Sequence, residues 1–372
     1  MADSELTLKV AVAMTPGITA DVVRAMYDCG VSLDEFFSLG MQELSDRLGA
    51  NRLLRLEKVA REEALFKARQ EVAFMQKHSI RAVFLGDEDY PPMLYELPDA
   101  PVLLYVLGSG TLSPEHALAV VGTRRCTAYG TSFVKSLLAD LVLYYPDMAV
   151  VSGLAYGIDA AAHTGALENH LQTIAVVAHG LDMMYPAAHR SLARQIVEAG
   201  GAIVTEYPRG TTPYQRNFLE RNRIVAGLCG ATLVVESELR GGAMSTANQA
   251  FVNNRDVLAL PGRATDLKSA GCNHLIRTNK ASMVTCAADV TQITGWVPYT
   301  LKSVPKQRNL FPELSGDVAS VYNVLKQSAA PMSVDAIHQH TGIGIKDLMP
   351  ILTEMEFDGM VTKLPGSRYE TV

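Results

Sequence analysis

The stretch AVVGTRRCTAYG, residues 119–130, runs a hydrophobic strand into a glycine and then into a helix-compatible segment. That order opens a nucleotide-binding α/β fold, but the details point away from a dinucleotide. Such a site needs GxGxxG after the first strand and an acidic residue closing the second to hold the ribose. Here TRRCTAYG follows Gly122, and the next apolar run ends in Ser152 and Gly153 without a carboxylate. The P-loop signature GxxxxGK[ST] occurs nowhere in the chain, so nucleotide hydrolysis by that device is not expected either. No cofactor is expected.

Outward from this stretch, apolar runs alternate with helical segments. LAVVG, MAVVSG, TIAVVAHG, AIVTEY, ATLVVES and DVLALPG read as strands, separated by segments such as YGTSFVKSLLADLVLYY and HRSLARQIVEAG. Nearly continuous β-branched runs are what strands look like when helices cover both faces of a parallel sheet. The fold class is α/β, a doubly wound, mostly parallel sheet. Ligands of such sheets bind at the carboxyl ends of the strands.

With 372 residues the chain exceeds the size at which single cores stop growing. Residues 1–75 are punctuated by TPGIT, DCGVS and SLGMQEL and read as a small helical domain. The run from Glu43 to His78 predicts one or two exposed amphipathic helices, and DEDYPPMLYELPDAPVLLYVLG a proline-rich loop. The α/β domain spans 76–296. Residues 297–316, with Pro298, Pro305 and Pro312, read as a linker, and 317–372 as three helices and two short strands in winged-helix order.

Hydrophobic residues make up 48% and charged residues 19%, which fits a folded chain with a large core. A net charge of −6 means that any polyanion site is a local basic patch on an acidic protein. The five cysteines are scattered without a CxxC pair, so neither a zinc site nor a disulfide framework is expected. Neither a signal peptide nor a membrane span is evident, and a cytoplasmic location with reduced thiols is expected.

The strand ends carry small residues beside arginines. Gly122 and Thr123 can offer N–H groups and a hydroxyl to a phosphate, with Arg124 and Arg125 supplying charge and forked donors. Ser152, Gly153 and Gly157 form a second anion-friendly turn before a helix. YPRGTTPYQRNFLERNRIVAG interleaves Arg209, Arg216, Arg221 and Arg223 with Tyr207, Tyr214 and Phe218. Arginine with aromatic rings is the chemistry of single-stranded nucleic acid. Plainer readings stand beside these: Arg125 solvated or paired with an acid, Phe218 in the core, and Asp159 and His163 as a helix cap and a packed histidine. No metal site and no catalytic residue is expected.

Taken in order, GTRRCTAYG, VVSGLAYGIDAAAHTGAL, GLDMMYP, GGAIVTEYPRGTTP, NFLERNRIVAGL, LVVES and PGR…GCNHLIR closely resemble the DprA (Smf) family of bacterial DNA-processing proteins. The resemblance covers the central domain. The N-terminal MTPGI segment resembles the family's helix-hairpin-helix or sterile-alpha-motif-like domain, and the tail its winged helix. It implies a Rossmann-like, non-catalytic protein that binds single-stranded DNA. Such a protein protects incoming strands, helps displace single-strand-binding protein and loads the RecA recombinase during natural transformation. It also implies a phosphate pocket of Gly122, Thr123 and Arg124 joined by Asn217, Phe218, Arg221 and Arg223. Gly242 lies where the family usually carries a serine-rich turn. A homodimer is implied through the late part of the domain, with Leu275 and Ile276 at the interface.

Two other classes remain open. A phosphoribohydrolase-type enzyme shares the strand-end layout, but its PGGxGTxxE signature is replaced here by PGRATD. A structural or signalling protein would leave the arginine–aromatic cluster without a role. In the tail, the last helix carries Asp347, Glu354, Glu356 and Asp358 against Lys346, an acidic face that is expected to stay out of a DNA groove.

Overall fold

The computed structural model describes residues 2–49, 58–299, 316–328, 330–357, 360–364 and 367–371. The chain forms two compact units, Met1–Lys302 and Ser303–Val372.

The first unit begins with helices α1 (Ala2–Met14), α2 (Ala20–Asp28), α3 (Leu33–Ser38), α4 (Met41–Leu48) and α5 (Lys58–Lys77). Strand β1 (Ile80–Phe84), the short α6 (Pro92–Tyr95) and β2 (Leu103–Gly108) follow. Then come β3 (Ala117–Gly122), α7 (Ala128–Tyr144), β4 (Ala149–Ser152), α8 (Ile158–Glu168), β5 (Gln172–Val176), α9 (Arg190–Glu198) and β6 (Ala202–Thr205). The unit closes with α10 (Gln215–Gly227), β7 (Ala231–Val235), α11 (Gly242–Val252), β8 (Asp256–Ala259), α12 (Ala270–Arg277), β9 (Ser282–Met283) and α13 (Ala287–Thr294).

The strands form one nine-stranded sheet in the order β1-β2-β6-β5-β4-β3-β7-β8-β9. From β6 to β9 every pairing is parallel, while β1 and β2 add an antiparallel edge. Every run expected to be a strand is one. Three strands of this sheet were not foreseen as such: β1 lies between the expected amphipathic helices and the proline-rich loop, β2 lies inside that loop, and the two-residue β9 is too short to show a pattern. Alternate residues of β3 feed opposite faces, with Leu118 and Val120 in one core and Ala119 and Val121 in the other. This is the physical origin of the unbroken apolar runs, since both faces of the pleat are dry.

Packing is continuous across the expected boundary near residue 75. Val10, Ala11 and Val12 of α1 are fully buried in the core that also holds Leu104 and Val106 of β2. Lys9 pairs with Asp87 at 2.7 Å, and α5 itself runs through residue 75. One face of α5 is buried through Ala64, Ala68, Val72 and Met75, because a helix with an apolar stripe must cover it against something.

The second unit holds α14 (Gly316–Gln327), β10 (Met332–Ser333), α15 (Val334–Thr341), α16 (Ile345–Phe357), β11 (Val361–Leu364) and β12 (Arg368–Thr371). Its three strands pair in the order β10-β12-β11 beside a core of Val321, Leu325, Ile337, Leu348, Leu352 and Tyr369. This is the expected winged-helix order with one extra short strand. Asp347, Glu354 and Glu356 of α16 are exposed. Asp358 and residues 300–315 of the expected linker lie outside the described residues.

Candidate nucleic-acid interface

The chain passes from β3 through β4 and β5 to β6 on one side, then crosses back to place β7 against the other side of β3. Loops on the two sides diverge at that point, and a crevice opens where they part. A cavity of ≈ 830 Å³ occupies it, walled by Gly122–Arg125, Gly153, Ala155, Tyr185, the first turns of α10 and α11, and Ser237, Glu238, Arg240 and Gly241.

The arginine turn is held rigidly from below. Thr123 donates its N–H to the Glu236 carbonyl at 2.7 Å, its carbonyl accepts from Ile158 at 3.2 Å, and its hydroxyl oxygen accepts from the Arg125 N–H at 3.3 Å. Gly157 is required beneath it, with φ of +77° and a hypothetical Cβ only 2.2 Å from the Thr123 carbonyl oxygen. The expected free N–H of Thr123 is therefore committed, and Gly157 supports the turn without lining the cavity. The side chains of Arg124 and Arg125 project into solvent with no ion-pair or hydrogen-bond partner among the described residues. Arg124 stands over the Phe218 ring at 5.3 Å from its centroid, and Tyr185 meets the same ring at 5.8 Å. Phe218 is half-buried, one face of a small aromatic shelf at the cavity mouth.

Arg221 forms the floor. It is buried, and Nη1 donates to the carbonyls of Gly153 (2.8 Å) and Val176, while Nε has no hydrogen-bond partner among the described residues. Burial lowers its pKa to about 10, a guanidinium that gains from an anion in the cavity. Asp159 shares the floor, accepting from the Gly153 and Ala155 N–H groups at 3.2 and 3.3 Å; burial raises its pKa. His163 packs away from the site, with Nδ1 2.7 Å from the Thr173 hydroxyl, and burial pushes its pKa down to about 3.

The cavity thus gathers Gly122, Thr123, Arg124, Arg125, Gly153, Phe218, Arg221 and Gly242. Four other expected contacts lie elsewhere. Ser152 is buried and donates its hydroxyl to the Val120 carbonyl at 2.6 Å. Asn217 fastens the preceding loop, donating to the Thr212 carbonyl at 3.3 Å. Gly157 is a packing residue, as described. Arg223 grips Glu206 with both terminal nitrogens at 2.6 and 2.7 Å, a bidentate pair that occupies its donors. Arg209 is likewise held, its N–H 3.0 Å and its guanidinium 3.4 Å from the buried Glu71 of α5. Leu275 is 1% exposed and belongs to the core of its own chain, whereas Ile276 is half-buried. Arg240 and Tyr185 line the cavity without having been singled out. The only sequence signal for either was its place in a strand-end motif, ESELRGG or GLDMMYP.

A family model described as DNA recombination-mediator protein A matches residues 81–295, and a second, the DprA winged helix domain, matches residues 305–367. The chain belongs to the DprA family. A putative DNA processing protein DprA of Mycobacterium tuberculosis is 35% identical over 307 residues, covering 79% of this chain and 78% of that protein. The X-ray structure of DprA from Streptococcus pneumoniae superposes with a TM-score of 0.64 at 33% identity, covering 77% of this chain and 97% of that one. DprA from Helicobacter pylori, whose structure was solved for its single-stranded DNA binding mode, gives 0.51 at 28% identity, covering 57% and 94%. DprA membership places the chain among proteins of DNA processing in recombination. Among the described residues no helix is long and apolar enough to cross a membrane.

Proposed function

We propose that this chain is a single-stranded DNA-binding recombination mediator whose phosphate clamp is the cavity at the β3–β7 crevice. The observation that carries the reading is Arg124, unpaired among the described residues and set over Phe218 at the mouth of a cavity whose floor is the buried Arg221. Free forked donors serve phosphates, and the Phe218–Tyr185 shelf offers a face to an unstacked base. A duplex would hide its bases from that shelf. The DNA-binding mode named for the Helicobacter relative supports the same chemistry.

In this reading the protein performs no catalysis. Asp159, the carboxylate on the cavity floor, accepts two backbone N–H groups at Oδ2 and stands beside Arg221, an arrangement that holds the floor in place rather than poising a base. The protein protects incoming strands in the cytoplasm, helps displace single-strand-binding protein and loads RecA in natural transformation. It acts as a homodimer through the α12 region, where Ile276 rather than the buried Leu275 meets the other copy.

The test has two arms. Labelled single-stranded and duplex DNA are titrated with the protein, and RecA assembly is followed on strands precoated with single-strand-binding protein. Preference for the single strand and faster RecA assembly are expected. Equal affinity for both forms removes the clamp reading, and unchanged RecA assembly removes the mediator role.

A further inference from the structure

A second cavity of ≈ 940 Å³ opens at the same edge of the sheet, between the start of α7 and the loop after β8. It adjoins the first. Arg125 and Ser237 line the first cavity, while Thr127 and Glu236, their close neighbours in the chain, line the second. The partition is a polar contact, in which Glu236 accepts the Thr127 N–H at 2.7 Å and the Thr127 hydroxyl. Glu236 sits at φ of +53°, a conformation that a side chain this long rarely adopts unless its surroundings hold it. Its carboxylate is hydrogen-bonded inside the partition.

The remaining wall sets two cations and one aromatic ring among small and apolar residues such as Pro261, Gly262 and Leu267. Arg263 and Lys268 line the cavity and have no side-chain partner among the described residues; exposed Asp266 and the partition residue Glu236 are the acids of the same wall. Tyr129 donates its hydroxyl to the Pro261 carbonyl at 2.9 Å, yet the residue is 51% exposed. A ring pinned at one end and open on its surface loses little freedom when a base stacks on it.

We propose that this cavity is a second nucleotide subsite on the same strand, taking a neighbour of the nucleotide held in the first cavity. Tyr129 is the platform for its base, and Arg263 and Lys268 hold its phosphate. The inference rests on the single-stranded DNA reading above. A strand threaded past Arg125 satisfies both cavities at once, and stacking on Tyr129 makes the subsite tolerant of sequence.

The test uses the full chain and labelled oligothymidylate, read by anisotropy at several salt concentrations. Wild type is compared with Arg124→Ala, Tyr129→Leu, Tyr129→Phe and the pair Arg263→Gln, Lys268→Gln. Tyr129→Leu is expected to weaken binding by about five-fold or more, the lower end for one stacked base. Tyr129→Phe keeps most of the affinity because the ring remains. The paired glutamine variant lowers the salt slope by about 0.7 for the phosphate it releases. A strand carrying 5-iodouracil is expected to crosslink to the peptide containing Tyr129.

If wild type binds and Arg124→Ala weakens it, while the Tyr129 and Arg263/Lys268 variants bind as wild type and no crosslink maps to the peptide containing Tyr129, the subsite is wrong and the first cavity stands. A Tyr129→Leu variant that changes oligomeric state with DNA binding intact assigns the cavity to a second copy and equally overturns the proposal. Absence of binding by wild type removes the single-strand reading itself.

Discussion

Arg221 and Gly153 are in direct contact: Nη1 donates to the Gly153 carbonyl at 2.8 Å, and a Cβ on residue 153 would lie 2.5 Å from both terminal guanidinium nitrogens. The glycine is the space that the buried arginine needs, so the cavity floor depends on both. Gly153→Ala is expected to displace the guanidinium and cost about 1–3 kcal/mol of stability, as overpacked cores do. Denaturant midpoints measure the loss, and DNA titration of the still-folded variant is expected to show weaker binding. An unchanged midpoint with full affinity would disconnect the two residues.

Arg223 offers the opposite case. It and Glu206 are only 14% and 18% exposed and form a bidentate pair. Removing one member of such a pair leaves the other charge buried. Arg223→Ala is therefore expected to cost about 3 kcal/mol of stability while leaving the salt slope of DNA binding unaltered. Denaturation and salt titration on the same variant separate the two effects; a reduced slope would return Arg223 to the phosphate contacts.

His163 gives the domain a pH dependence. Thr173 donates its hydroxyl to the Val150 carbonyl, so Nδ1 of His163 is the donor to Thr173 and the ring is neutral. Burial lowers its folded pKa to about 3, beneath the 6.5 of the free side chain. A depressed pKa contributes stability that is complete above 6.5 and is lost as pH falls toward the folded value. Between pH 7 and pH 5 the loss is about 2 kcal/mol. His163→Leu is expected to flatten that part of the profile in unfolding measured at both pH values, and an equal slope in the variant would place the dependence elsewhere.

The sheet was legible because its residues obey a strong rule: strands covered on both faces are apolar along most of their length rather than at alternate positions, and β3 to β8 all carry that mark. β2 was hidden by the prolines around it, and β9, at two residues, has no period to read. The arginine turn was legible for the same kind of reason, since TRR follows Gly122 at a strand end where a dinucleotide motif would need more glycines, and the next strand ends in Ser152 and Gly153 without a carboxylate. What the sequence does not carry is the partner of each arginine. Arg221, Arg223 and Arg124 look alike in NFLERNRIVAG and GTRR, yet one lies under a glycine, one on Glu206 and one over Phe218. Two of those partners, Gly153 for Arg221 and Phe218 for Arg124, lie far away in the chain and meet their arginines only through the fold, while Glu206 lies within the same β6–β7 connection as Arg223.

The measurement that tests the central claim most directly is a salt titration of single-stranded DNA binding by wild type and Arg124→Ala. An unpaired arginine that holds a phosphate releases counterions on binding and reads little of the base. The variant is predicted to bind more weakly by a similar factor on strands of different sequence, with a salt slope smaller by about 0.7. An unchanged slope, or a loss confined to particular sequences, would contradict the clamp.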